Sequence, residues 1–317
     1  MRAGCLLKAI IGGVVILGLA IVSLLFLPSP EPHVHLPAEE VFDIAGFPVT
    51  NCIIASWLAI VVLLVMFIAG SRRMTLVPQG WQNFIEWIYE TLYNFAEQAA
   101  GPRKARLFFP LFATIFLYVV MAAWLSLLPG FDMFGWVAEG GEHAGTIKGA
   151  FAGEISDIDL IETPWLRKAN SDINFPLAMA LVAFLSWTYW AIRMIGIREY
   201  SKQFIKLDNI TKGLKLLSKG DFKAAPMTFF MGGVDIFVGF LEFLSRCIQI
   251  ISLTFRLFGN MLAGAILILV ILYLVPWFVA IPFYGLELLF GFVQALIFAG
   301  LTLVFSVIAT TPEAEHE

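Results

Sequence analysis

Charge is what this sequence has least of. Only 14% of its 317 residues are Asp, Glu, Lys or Arg, against about a quarter in soluble domains. With 60% of the residues hydrophobic, too little polar surface remains to cover a water-soluble core, and the chain reads as an integral membrane protein with no nucleic-acid partner. Cysteine is scarce too. Cys5, Cys52 and Cys247 lie in or beside apolar segments at unrelated spacings. That excludes a disulfide framework or a CxxC metal pair and leaves small buried hydrophobes. All four histidines fall in loops or at the terminus, and the His33, His35 pair has nothing nearby to complete a ligand set. A metal or Ser–His site inside the membrane is therefore not expected, and no cofactor is. No GxxxxGK[ST] is present, so the chain holds no nucleotide-binding P-loop. No internal repeat is evident, which argues against a stand-alone secondary transporter built on paired broken helices. The net charge of −4 says nothing about partners.

What fills the chain is apolar runs, continuous where membrane strands would alternate, and several reach the roughly 20 residues that a spanning helix needs. Ile10 to Leu27 is the first, preceded by Arg2 and Lys8. It resembles a secretory signal in its basic start, but its length and the lack of a clean cleavage site favour a retained membrane helix. Residues 28–50 are rich in Pro, His and acid. Asn51 to Ala69 is the second span. Trp81 to Ala100 has Trp81, Ile85, Ile88, Tyr89, Leu92 and Phe95 at helical spacing, the pattern of an interfacial amphipathic helix. Leu107 to Leu128 is the third span, ending at Pro129-Gly130. An acidic loop at 131–173 precedes the fourth span, Phe175 to Ile195, and a lysine-rich tract follows at 196–225. Fifteen of the twenty basic residues lie near the N-terminus, at 72–106 or at 193–223. By the positive-inside rule both termini are then cytoplasmic, and the loops 28–50 and 131–173 external.

Met227 to Val275 is too long to cross upright. As one helix it would run roughly 70 Å, more than twice a ~30 Å hydrocarbon core. It must break or tilt steeply, and Gly232-Gly233 is the expected break. Pro276 ends it, and a last helix runs from about Pro282 to Ile308. The expectation is an all-α integral membrane protein of about six membrane helices, the last two a long, steeply tilted hairpin. Three parts result: 1–50 with the extra first helix, 51–225 with three spans and the interfacial helix, and 226–317 with the hairpin.

The hairpin carries few polar residues, and they are patterned. Glu242, Gln249, Ser252, Arg256 and Asn260 are spaced 7, 3, 4 and 4, steps that keep them on one helix face. Glu287 and Gln294 are seven apart on the last helix. Arg256 stands deep in an apolar run, where a charge costs at least ~2.5 kcal/mol, and arginine does not escape by losing its proton. The economical account is a proton path interrupted by Arg256. Glu287, Asn260 and Gln294 line a route from the external face, and Glu242, Ser252 and Gln249 a route to the cytoplasm. Arg246 and Asp235 lie off this face and are read as interfacial or paired.

Leu253-Thr-Phe-Arg256-Leu-Phe-Gly-Asn260-Met-Leu-Ala-Gly264 resembles the signature of subunit a of the F-type ATP synthases, and the likeness extends over about residues 45–310. The resemblance implies a non-rotating, ion-conducting subunit without a catalytic site of its own. Its partners would be a c-ring, against which the tilted hairpin packs, peripheral-stalk b subunits and the lipid bilayer. Arg256 would be the essential arginine facing the ring carboxylates. Ser171-Asp172-Ile173-Asn174 resembles the family's channel mouth, which assigns Asp172 and Asn174 there. The implied location is the inner or plasma membrane of a bacterium, or an energy-transducing organelle membrane. Two positions depart from the common bacterial pattern. Ala265 stands where many members carry a carboxylate, the acid sitting instead at Glu287 as in other branches, and Gln249 stands where lysine is frequent. Protons are the favoured ion because Glu287 is isolated in an apolar helix, and sodium remains the alternative.

Overall fold

The computed structural model describes residues 40–44, 46–72, 74–128, 131, 135–137, 145–149, 153–158, 161–204, 225–274 and 280–311. The expected first span, the lysines at 206–223 and the C-terminal tail lie outside them. Helices dominate: α1 Asn51–Ser71, α2 Trp81–Leu125, α3 Asn174–Ile195, the short α4 Ile197–Phe204, α5 Ala225–Leu274 and α6 Ala280–Ala309. Five of these are long and apolar enough to cross a membrane. The regions expected as plain loops add three two-stranded antiparallel ladders. β1 (Glu40–Ile44) pairs with β2 (Phe47–Thr50), β3 (Gly135–Val137) with β6 (Ile161–Pro164), and β4 (Gly145–Gly149) with β5 (Gly153–Ile158).

The two long helical tracts behave differently. In α2 the backbone leaves the helix at Gly101 (φ 74°, ψ 162°), and Pro102 opens the second limb. Only glycine takes that φ without strain, and proline suits a first helical turn, where its missing N–H costs nothing. The amphipathic tract and the following span are thus separate limbs joined at one residue. In α5 the expected break is absent: the helix runs unbroken through Gly232-Gly233 to Leu274. Glycine lowers helix propensity by only about 1 kcal/mol per residue, too little to interrupt fifty residues of mostly good helix formers. Pro282 falls in the first turn of α6, where it is tolerated.

The fold comprises two compact units. The first comprises Met1–Glu86, Ile115–Phe175 and Leu257–Ile297; the second Trp87–Thr114, Pro176–Arg256 and Phe298–Glu317. In the first, Ala55 and Ala59 of α1 pack with Ala122 of α2, Phe131 and Ala169, flanked by Leu58, Tyr118, Met121, Leu125 and Leu166. Alanines four apart let helices approach closely. The Tyr118 hydroxyl donates to Ser56 Oγ (2.8 Å), and Trp124 Nε1 donates to the Leu288 carbonyl (3.1 Å), tying α2 to α1 and to α6. Gly291 meets Ala123 so closely that a methyl group there would collide with it.

The second unit is aromatic. Phe95 stacks on Phe112 with ring centroids 5.5 Å apart, across the two limbs of α2. Phe108 meets Trp190 at 4.7 Å, and the fully buried Trp187 meets Phe305 edge-on at 5.3 Å, drawing α3 to α2 and α6. Gly196 (φ 95°) turns the chain from α3 into α4. Gly239 of α5 abuts the Phe204 carbonyl at the end of α4, so any side chain at that position would strike backbone.

Candidate functional site

Within the first unit α5 and α6 lie side by side, and their polar groups form two rungs. On the nearer rung to Arg256, Asn260 Nδ2 donates to Gln294 Oε1 at 2.6 Å. One turn further along α5, Gly264 faces Glu287. A methyl group at Gly264 would overlap the Glu287 carboxylate, so the glycine makes the space that the acid occupies. Three of the residues expected on one route, Asn260, Gln294 and Glu287, are thus brought together.

Glu287 has a partner that its sequence neighbourhood does not announce. Lys168 forms an ion pair with Glu287 Oε1, and both side chains are less than a tenth exposed. Lys168 Nζ also donates to the Met261 carbonyl of α5 at 3.5 Å. The lysine enters from the tight turn before α3, and that turn is well held. The Lys168 carbonyl accepts from Ser171 Oγ (2.6 Å), Ser171 N–H (3.0 Å) and Cys52 Sγ (3.7 Å). A buried pair survives only when geometry and further hydrogen bonds offset the desolvation of both charges. Glu287 Oε2 and Gln294 Nε2 are buried without a hydrogen-bond partner among the described residues. Asn51 and Asn170, both wholly buried, leave their amide atoms in the same condition. Unpaired polar groups are rare in folded interiors and concentrate at functional or hydrated places.

In the second unit, the expected cytoplasmic-side residues sit on α5. Glu242 pairs with Arg246 (Oε1 to Nη2, 3.0 Å), with Arg246 buried and Glu242 half-buried. Of the two readings given for Arg246, interfacial or paired, the structure shows the paired one. Gln249 has its Oε1 buried and unpartnered, and Ser252 is exposed. Arg256 is exposed, and no hydrogen bond or ion pair reaches it from the described residues. It lies in an exposed stripe with Ser245, Ile248, Ser252, Phe255, Gly259, Asn260 and Ala263.

Asp172 and Asn174, expected at a channel mouth, are bonded to each other. Asp172 Oδ1 accepts from the Asn174 backbone N–H and from its Nδ2, both at 3.1 Å. This ties down the first N–H of α3, a capping role. Among the described residues no hydrogen bond or ion pair joins them to the Glu287 cluster. Four residues earlier, Lys168 is the side chain that reaches it. Arg167 and Lys168, with Lys148, are basic residues of the otherwise acidic 131–173 segment, and no sequence periodicity singles out Lys168. Among the described residues no group of three or more His, Cys, Asp or Glu is arranged to hold a metal.

Comparison with known proteins gives the family of the chain. The family model described as ATP synthase A chain matches residues 53–306. ATP synthase subunit a of Gloeobacter violaceus is 30% identical over 83% of this chain and 85% of its own length. The subunit a of Aliarcobacter butzleri is 28% identical over 82% and 88%. That of Helicobacter pylori is 27% identical over 88% of this chain and 99% of its own. The matched span contains nearly all of α1 and α6, all of α2 to α5, and the polar residues of this site except Asn51 and Cys52. The chain is a multi-pass membrane protein and belongs to the ATP synthase subunit a family.

Proposed function

We propose that this chain is the non-rotating proton-conducting subunit of an F-type ATP synthase, with two aqueous half-channels separated by Arg256. Glu287, Gln294 and Asn260 line the external half-channel. Gln249, Ser252 and Glu242 line the cytoplasmic one, Glu242 while bound to Arg246. The hairpin of residues 226–317 carries both, and α5, about 75 Å long at 1.5 Å per residue, crosses the bilayer obliquely. Protons reach the carboxylates of a rotating c-ring from one half-channel and leave through the other, so that ion flow drives rotation. Peripheral-stalk b subunits hold the chain still. The membrane is the plasma or inner membrane of a bacterium or an energy-transducing organelle membrane, with both termini cytoplasmic.

The observation that carries this reading is the exposure of Arg256. A guanidinium on an apolar helix face costs at least ~2.5 kcal/mol in lipid, and within the described residues nothing offsets that cost. The arginine therefore calls for an anion from a partner. Gly259 and Ala263 beside it leave room for close helix approach. A ring carboxylate passing this point is held ionised opposite the guanidinium and is reprotonated beyond it, while the fixed positive charge opposes direct proton leakage between the half-channels.

The test is ATP-driven acidification of vesicles carrying the assembled complex, with Arg256 and with Arg256→Ala. Loss of pumping together with a passive proton leak is expected. Normal pumping by the alanine variant would overturn the reading.

A further inference from the structure

The ion pair at Glu287 is not used by the mechanism above, which needs only an acid at that place. We infer that Lys168 is a positioning residue for proton delivery: its ammonium fixes the Glu287 carboxylate, and the external route reaches Glu287 past this pair. The inference rests on the proposed role of Glu287.

Several observations converge on it. Lys168 is buried although it belongs to a connecting segment, where a lysine ordinarily reaches water. Its turn is fixed by three bonds to one carbonyl, from Ser171 twice and from Cys52. Its Nζ is shared between Glu287 on α6 and the Met261 carbonyl on α5, so it spans the hairpin at the level of the acid. Gly264 packs directly against the carboxylate, leaving no room for a side chain between them. Glu287 Oε1 is thus occupied by the ammonium, and Oε2 is left as the atom with no partner among the described residues. The geometry points to Oε2 as the atom at which Glu287 takes up and gives up a proton. The buried amides of Asn51, on α1, and Asn170, on the lysine's own turn, are further polar groups left without a partner among the described residues. Asn170 is two residues from Lys168, and Asn51 adjoins Cys52, which bonds the lysine's carbonyl.

The alternative is a purely architectural lysine whose hydrocarbon stem fills space between the helices. Met and Arg separate the two roles. Methionine keeps the volume of the stem without the charge, and arginine keeps the charge. The complete ATP synthase is assembled with Lys168→Met, Lys168→Arg, Glu287→Gln or Lys168→Met with Glu287→Gln, and ATP-driven acidification of vesicles is measured alongside the amount of assembled complex. Lys168→Met is expected to lower pumping by about tenfold or more, in the range that a positioned proton-handling group contributes, while Lys168→Arg retains most of it. The double variant leaves no unpaired charge, so it assembles, and it pumps no worse than the worse single variant, as for residues that act as one unit. Wild-type pumping by Lys168→Met, with Glu287→Gln impaired, overturns the role of Lys168 alone. Wild-type pumping by Glu287→Gln overturns the underlying assignment of Glu287. Loss of pumping in Lys168→Met that arginine fails to restore, in a fully assembled complex, also refutes the requirement for a cation at this place.

Discussion

Gly264→Ala puts the Glu287 environment under the smallest possible perturbation, one methyl group. The added carbon would coincide with the Glu287 carboxylate, so either the carboxylate leaves Lys168 or the two helices separate. Overpacking a well-packed interior by one such group costs about 1–3 kcal/mol. If that energy falls on the competent position of the carboxylate, each ~1.4 kcal/mol lowers the rate tenfold. Pumping should then fall between about fivefold and about a hundredfold. The control is Gly285→Ala on α6, where an added methyl group meets none of the described residues within 4 Å. That change should be neutral or slightly stabilising, because alanine is the better helix former. ATP-driven acidification, normalised to assembled complex, is the assay. Equal pumping by Gly264→Ala and Gly285→Ala would refute the claim that Glu287 works from the place it occupies beside Lys168.

Other changes test other parts of the molecule. Glu287→Gln should slow proton transport, and unchanged turnover across roughly pH 6–9 would remove it from the path. Glu242→Gln leaves the buried Arg246 without its acid; thermal denaturation of the complex should show a loss of about 1–3 kcal/mol, and an unchanged midpoint would mean that the pair contributes nothing. Gly101→Ala forces a side chain into the left-handed region and should lower stability by roughly 1–3 kcal/mol, read as reduced assembly and a lower melting temperature. Trp124→Phe removes the indole bond to the Leu288 carbonyl, and about 0.5–1.5 kcal/mol of stability should go with it.

The helices were legible because their cause is local. Apolar runs of membrane length admit one regular structure in hydrocarbon, where every backbone group must be satisfied within the segment. Hence α1, α3 and α6 begin and end within a few residues of where hydropathy and proline put them. The polar face of α5 was legible for the same reason, since spacings of three and four residues fix a helix face without knowledge of the neighbours. Gly232-Gly233 misled because glycine is only a weak helix breaker, and the fifty-residue helix tolerates two. The Lys168–Glu287 contact was not legible because it spans 119 residues of sequence, which no periodicity reports. The trace that remained was an anomaly of charge: two adjacent cations at the end of an acidic segment. Read as a breach of the positive-inside rule, the pair carries no meaning; one of the two, Lys168, is a cation brought to a buried acid.

Lys168 and Arg256 show how one chain treats two cations differently. Lys168 is buried and neutralised within the chain by Glu287, so the pair adds little net field to its surroundings. Arg256 is exposed, and no acid among the described residues answers it. A mobile carboxylate is drawn to a charge that is not already satisfied, and on the described part of α5 that condition singles out Arg256, because Arg246 is held by Glu242. Under the proposed function, the asymmetry gives the two sites different work. The buried pair can hand protons over without trapping the incoming anion, since its positive charge is already engaged. The exposed arginine can hold that anion ionised, because it has no acid of its own. Had Glu287 been left unpaired and Arg256 paired internally, the same residues would attract protons to a dead end and give a ring carboxylate no reason to stay ionised as it passes.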